Sequence, residues 1–223
     1  MIKYWAIDYY GTLTERSSVI GQIREKWFPQ IERKSSLKEK FRPYTKKKNL
    51  GSLSQAISKI NEEFNLKQSV KELKKIEEEI RDFLEKGGLL DKKVLESLKW
   101  MSENYDLALI SNNSSLTQDE IKYSGILEFI PQKRIILSHH VNSLKGEDDK
   151  IIYQKVLDSF GIKKADANRV GIIGDQYEKD IRMPLEDCGF GAGILIESNN
   201  SSNYKHKVEA FAQVPNYIKR NFR

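Results

Sequence analysis

Apolar and polar positions alternate between two regimes along the chain. Five short apolar runs, Tyr4–Asp8, Leu107–Ser111, Arg134–Ser138, Val170–Gly174 and Ala192–Glu197, have the length and β-branched content of buried strands. Helical periodicity separates most of them, so the expected sheet is mainly parallel and covered on both faces, a doubly wound α/β fold. The gap across residues 9–106 is too long for one crossover helix. It carries helical stripes of its own: Leu53, Ala56, Ile57, Ile60 and Phe64 behind Ser52-x-x-Gln55, then Leu73, Ile76, Ile80, Phe83 and Leu84 behind Ser69-x-x-Glu72. Both four-residue signatures are capping boxes, and Gly87-Gly88 supplies a stop. An earlier helix is expected in "SSVIGQIREKWFPQI", broken near Pro29.

Amphipathic stripes must be buried against something, so residues 15–90 read as an inserted helical subdomain on a core made of 1–14 and 91–223. Such an insertion would sit over the carboxyl ends of the strands, where open α/β sheets bind ligands. "DKKVLESLKWMSENY" would return the chain to the sheet. The same stripes serve a subdomain core and a dimer face equally.

Charge adds to this picture by its placement. Residues 15–90 hold 18 basic and 12 acidic side chains, leaving 20 of each elsewhere, so the whole net charge of +6 lies in the insertion. That favours a small anionic partner. The segment lacks the regular aromatic interleaving of a single-strand groove, so nucleic acid is not the expected partner. No apolar run approaches the roughly 18 residues of a membrane span, and Met1-Ile2-Lys3 leads straight into a strand, so the expected location is cytoplasmic with no membrane partner. Cys188 is the single cysteine, which excludes an intrachain disulfide and favours a buried structural thiol. Trp5, Trp27 and Trp100 read as packing residues, and His139-His140 as a surface pair.

Candidate chemistry gathers just beyond the strand ends. Asp8 closes the first run, before the turn "YYGTLT", where a carboxylate is presented to a cleft as a nucleophile. Ser111 in "LALISNNSS", with Asn112 and the turn amides beside it, suits the binding of an anionic oxygen. Lys145 is a compact positive charge able to neutralise a carboxylate and an incoming anion, with Lys150 as a rival. In "VGIIGDQYEKDI", Asp175 together with Asp8 offers a hard cation such as Mg²⁺ two oxygen ligands, completed by a backbone carbonyl and waters. Asp180 could brace that site or hold the lysine.

Taken in order, "DYYGTLT", "ISNNSS", Lys145 and "GDQYEKD" resemble the four motifs of the haloacid dehalogenase-like (HAD) hydrolase superfamily. The resemblance covers Met1–Thr14 and about Asp91–Glu197, and implies a Rossmann-like core with a helical cap at 15–90, though the cap itself carries no family signature. It implies an Asp8 nucleophile, a Mg²⁺ held by Asp8, Asp175 and the backbone carbonyl of Tyr10, substrate contacts from Ser111, Asn112 and Lys145, and a supporting role for Asp180. In phosphatases of the superfamily the first motif reads Asp-x-Asp, its second acid protonating the leaving group and activating water. Here that place is held by Tyr10, which at an ordinary pKa of about 10 can give a proton but is a poor base.

Asp-x-Tyr-Gly-Thr-Leu resembles the 2-haloacid dehalogenase branch instead, as does "LALISNNSS" beside the Leu-Ser-Asn-Gly-Ser of that branch. "GDQYEKD" resembles the magnesium-binding phosphatases, where dehalogenases carry Ser-Ser-Asn. Gly146 stands after Lys145 where a proline is usual, with two extra residues before Tyr153. The combination is read as a Mg²⁺-dependent phosphatase lacking its usual acid/base. The alternatives are a 2-haloacid dehalogenase, with Arg24, Arg33 or Arg42 binding a substrate carboxylate, and a non-catalytic binding or regulatory protein. Joints for the cap are expected near Thr14–Arg16 and Gly87–Asp91.

Overall fold

The computed structural model describes residues 1–14, 21, 23–33, 35–41, 50–87, 90–113, 115–197 and 203–222. Six parallel strands, β1 (Tyr4–Asp8), β2 (Asp106–Ser111), β3 (Ile135–Leu137), β4 (Val170–Gly174), β5 (Ala192–Ile196) and β6 (Lys207–Val208), form one sheet in the order β3-β2-β1-β4-β5-β6. The chain builds outward from β1 through β2 to β3, then restarts on the other side of β1 with β4. This reversal opens a crevice at the carboxyl ends of β1 and β4.

Every residue of β4 and β5 is buried, which is why these strands read as continuous apolar runs rather than alternating ones. Successive residues of β1 serve opposite faces. Trp5 and Ile7 pack with Leu98 and Met101 of a crossover helix and Val214 and Ile218 of the last helix, whereas Ala6 packs with Tyr153, Val156 and Met183. The expected doubly wound, Rossmann-like architecture is therefore present. Two details differ. β3 stops at Leu137 because Ser138 already begins a short helix, and β6, two residues long, gives too short a pattern to read from sequence.

Helices α1 (Pro29–Glu32), α2 (Ser35–Phe41), α3 (Leu53–Glu63) and α4 (Val70–Gly87) lie between β1 and β2, with a π-type turn at Ile23–Trp27 before them. The break near Pro29 is a helix start, with the proline at the first position where its missing N–H costs nothing. Both capping boxes form. Ser52 Oγ accepts from Gln55 N–H at 3.3 Å while Gln55 Oε1 accepts from Ser52 N–H at 2.9 Å, and Ser69 and Glu72 repeat the exchange at 3.3 and 2.7 Å. Stripes from these helices share a cluster of Ile23, Phe28, Phe41, Leu53, Ile57, Ile60, Ile80 and Leu84, which Leu116 joins from outside. Helix α4 runs to Gly87; Gly88, Arg42, Lys46-Lys47-Lys48 and Glu15-Arg16 lie outside the described residues.

The remaining helices are α5 (Lys92–Asn104), α6 (Leu116–Tyr123), α7 (Ser138–Val141), α8 (Ile151–Phe160), a π-type helix at Tyr177–Asp187, and α9 (Val214–Asn221). Helix α5 is the expected crossover, capped by Asp91, whose carboxylate accepts from Lys93 N–H at 2.8 Å. Helix α6 touches the insertion: Ser115 Oγ accepts from Leu50 N–H at 3.1 Å and donates to the Gly51 carbonyl at 3.3 Å. Trp27 and Trp100 do pack, the first against Phe83 and the second against Tyr105. Cys188 is buried, and burial pushes its thiol up to about 11. Among the described residues no helix is long and apolar enough to cross a membrane.

Gly171 pairs directly with Trp5 across β4 and β1, and a Cβ there would lie 2.5 Å from the indole. The glycine thus makes room for the largest side chain on the central strand. Gly171→Ala is expected to destabilise the protein by ~1–3 kcal/mol through overpacking, read as a lowered denaturant midpoint at unchanged slope. A midpoint equal to wild type would show that the indole has room to move.

Candidate active site

Asp8 ends β1 and is buried, in register with Ile110, one residue before Ser111 ends β2. Just beyond β4, Asp175 begins a turn that leads into the π-type helix, and Asp180 lies in the first turn of that helix. Two glycines allow the close approach. Gly11, at φ +84°, lies so near that a Cβ would come within 2.4 Å of Asp175 Oδ2, and a Cβ on Gly174 would lie 2.2 Å from that of Asp180. The turn after Asp8 and the turn after β4 therefore press together.

Lys145 reaches this crevice from the loop between α7 and α8. Its Nζ donates to Asp8 Oδ1 at 2.5 Å and to Asp180 Oδ1 at 2.6 Å, with all three side chains buried. Asp180 is completed by the Gln176 N–H, which donates to Oδ2 at 2.9 Å. Burial alone would lower the pKa of the Lys145 ammonium, but the pull of Asp180 and Asp8 outweighs it and holds the group above its ordinary range. The carboxylates outnumber the ammonium. Burial pushes Asp8 up to about 8 despite Lys145, with Asp180 adding to the rise, and burial followed by Asp180 also raises Asp175.

Oxygens of Asp8, Asp175 and Asp180 all lie within 4.8 Å of one another, a hard-donor cluster with two negative charges in excess of Lys145 when fully ionised. A divalent cation fits this donor set in charge and in hardness. Asp180 spends both oxygens on Lys145 and Gln176, whereas Asp8 gives Oδ1 to Lys145 and otherwise faces the Asp175 side chain, so Asp8 and Asp175 are the carboxylates better able to share a cation. Among the described residues the Tyr10 carbonyl accepts no backbone hydrogen bond.

The loop carrying Lys145 is fixed by side chains rather than by a proline. Gly146 adopts φ +91°, which proline cannot reach. Asn112 grips the Lys145 backbone on both sides, accepting from its N–H at 2.6 Å and donating to its carbonyl at 3.1 Å. Glu147 accepts from Leu144 N–H at 2.9 Å, and Tyr153 donates to the Lys179 carbonyl at 2.5 Å, tying α8 to the π-type helix. Lys150 pairs with Asp187 at 3.3 Å, away from Asp8.

Tyr10 is placed differently from an acid beside Asp8. Its hydroxyl donates to buried Glu120 on α6, with Thr117 Oγ1 at 3.4 Å. Burial first, then the Glu120 carboxylate, drives the phenol pKa well above its usual value. Ser111 is buried, and its Oγ accepts from Asn113 Nδ2 at 2.6 Å. Arg24 pairs with Glu25 at 3.0 Å. His139 is half-buried rather than on the surface: its ring lies 4.0 Å from that of His140, and burial lowers its pKa to about 4.

Sequence reading missed Glu120, Asn113 and Thr12. Residues 116, 117, 120 and 121 form the buried face of α6, so helical spacing alone places Glu120 inside. Thr12, four residues after Asp8, buries a hydroxyl that has no hydrogen-bond partner among the described residues.

Comparison with known proteins bears on the fold and the family. The model of the family described as haloacid dehalogenase-like hydrolase matches residues 7–185. No curated protein sequence matches the chain. Solved structures do. A 2-haloacid dehalogenase from Pseudomonas syringae pv. Tomato DC3000 superposes with TM-score 0.64 at 15% identity, over 99% of both chains. A HAD phosphatase from Thermococcus onnurineus gives 0.63 at 17% identity, over 97% of this chain and 98% of that one. A HAD-hydrolase from Bacillus subtilis bound to magnesium gives 0.60 at 17% identity, again over 97% and 98%. At such identities the superpositions speak for the fold alone, and the family assignment rests on the matched model. With more than half of its length inside that model, the chain belongs to the haloacid dehalogenase-like hydrolases.

Proposed function

We propose that the chain is a Mg²⁺-dependent phosphatase that acts through an aspartyl-phosphate on Asp8, on a small anionic substrate. The observation that carries this reading is the cluster of Asp8, Asp175 and Asp180 around a single lysine, whose surplus negative charge suits a divalent cation. Asp8, Asp175 and, as the family resemblance implies, the Tyr10 carbonyl would hold Mg²⁺, which when bound would supply charge neutralisation for the carboxylates and the phosphoryl group.

The residues then have separable tasks. Asp8 offers the oxygen that Lys145 does not hold to phosphorus, forming an O–P bond as the bond to the leaving oxygen breaks. Lys145 holds Asp8 in one orientation and offsets the charge of the transferring group, while Ser111 and the turn amides hold an equatorial oxygen. Water attacks phosphorus in the second step, the Asp8–phosphate bond breaks, and orthophosphate departs with Asp8 again a carboxylate. The basic insertion draws the anion toward the crevice. The Tyr10 hydroxyl is engaged by Glu120, so leaving groups that depart without a proton are favoured.

That engagement of Tyr10 also favours a second reading, a 2-haloacid dehalogenase, because halide leaves carbon without protonation. The two readings separate on metal. Hydrolysis of para-nitrophenyl phosphate is expected with Mg²⁺, and is expected to vanish with EDTA and in Asp8→Asn. Halide release from 2-chloropropionate in EDTA, lost in Asp8→Asn, would replace the phosphatase reading with the dehalogenase one.

General acid help is worth ~10²–10⁴-fold, so an unactivated alkyl phosphate is expected to turn over slower than the nitrophenyl ester by about that factor. Equal kcat/KM values for the two would contradict the reading that Tyr10, engaged by Glu120, supplies no proton to the leaving group.

Burial raises Asp8 to about 8 in the metal-free protein, so protons are expected to compete with the cation below that point. Mg²⁺ affinity is expected to fall as pH drops, by up to roughly tenfold per unit, with proton release on binding. Calorimetric titration in two buffers of different ionisation enthalpy reads both quantities. Affinity independent of pH over this range, with no proton released, would exclude Asp8 as a ligand.

A further inference from the structure

We propose that Asn113 is a positioning residue that fixes the direction of the Ser111 hydroxyl, so that its proton always faces the substrate. The proposal rests on the reading of Ser111 as the group that holds an anionic substrate oxygen.

Ser111 is the last residue of β2, and its Oγ accepts from Asn113 Nδ2 at 2.6 Å, a contact buried on both sides. An amide nitrogen is a donor only. It can occupy a lone pair of the serine oxygen but cannot receive the hydroxyl proton, so that proton must point elsewhere. Among the described residues no group accepts from Ser111 Oγ. The acceptor assigned to this proton is an oxygen that arrives with the ligand.

The amide can impose this direction because its own backbone is held. Asn113 N–H donates to the Ser111 carbonyl at 3.1 Å, and the Asn113 carbonyl accepts from Ser138 Oγ at 3.0 Å and faces His139 Nδ1 at 3.3 Å. Ser138 follows β3, so the loop after β2 is anchored to the neighbouring strand end. Asn112, one residue earlier, is committed to the Lys145 backbone. The two adjacent amides therefore divide the work: one sets the lysine, the other the hydroxyl. A glycine at 113 would leave the hydroxyl free to rotate, and each rotamer aimed away from the substrate is a conformer that cannot donate. A pre-aimed donor needs no reorganisation when charge develops on the oxygen it faces.

The test uses Asn113→Leu, which keeps the shape of the side chain while removing the donor, with Asn113→Ala, Ser111→Ala and the corresponding double variants. The readouts are kcat/KM for para-nitrophenyl phosphate and the inhibition constant of inorganic phosphate. Ser111→Ala is expected to cost ~10²-fold in kcat/KM, as for removal of one oxyanion donor. Asn113→Leu is expected to cost ~10-fold through misorientation alone, in kcat/KM and in phosphate inhibition alike, and to cost nothing further once Ser111 is alanine.

If Asn113→Leu does not fold, Asn113→Ala is compared with its Ser111→Ala double in the same way. A loss that persists undiminished in the Ser111→Ala background would make Asn113 a structural residue only and overturn the proposal. So would wild-type kinetics in Asn113→Leu. A Ser111→Ala variant with wild-type kinetics would instead overturn the reading of Ser111 itself, which the other two outcomes leave standing.

Discussion

Lys145 carries its ammonium into a buried space between the carboxylates of Asp8 and Asp180, and the arrangement of the crevice follows from that contact. Removing a partner from a buried ion pair typically costs ~3–5 kcal/mol, because the remaining charge is left without compensation. Here two carboxylates depend on one cation, and a third, Asp175, stands beside them. The protein therefore supplies less positive charge than its own acids demand. Burial raises Asp8 to about 8 against the pull of Lys145, and a further cation would favour its carboxylate form. The proposed nucleophile and the proposed cation site are in this sense one electrostatic object.

Holding such an object together is a task for the backbone. Strand order reverses at β1, so Asp8 and Asp175 emerge from adjacent strands into one crevice. Side chains could not approach so closely unless the intervening turns lacked Cβ atoms, which explains glycine at 11 and 174. The lysine comes from a loop whose geometry excludes proline at 146, and its orientation is restored by Asn112, Glu147 and Tyr153. Helix α6 joins the two halves of the molecule, touching the insertion through Ser115 and Leu116 while its Glu120 takes the Tyr10 hydroxyl.

Much of this was legible in the sequence, for reasons that can be named. β1, β4 and β5 were readable because parallel central strands are buried on both faces and appear as uninterrupted apolar runs. The capping boxes were readable because both partners lie within four residues. β6 was not, since two residues carry no period, and Ser138 was assigned to a strand although it starts a helix. Asp8, Lys145, Asp175 and Asp180 announced themselves by position beyond strand ends, and the structure brings those four together. The direction of the Tyr10 side chain was hidden, because its partner lies more than a hundred positions away on another element. Asn113 escaped notice for a different reason: its partner is only two residues away, but nothing local distinguishes an amide that aims a hydroxyl from one that lines a turn.

Tyr10 links the fold to the chemistry. A carboxylate in its place would add a fourth negative charge to a crevice already short of cations; a phenol adds none and donates a hydrogen bond to Glu120. What the site retains is a buried aspartate at the strand end, a lysine, a buried serine and a donor set suited in charge and hardness to a divalent cation. The most direct measurement of this account is mass spectrometry of the peptide carrying Asp8 after acid quench during turnover of an activated aryl phosphate. A phosphoryl adduct on Asp8 that requires Mg²⁺ and is absent from Asp8→Asn is the expected result. Phosphate release at full rate with Asp8 never modified would contradict it.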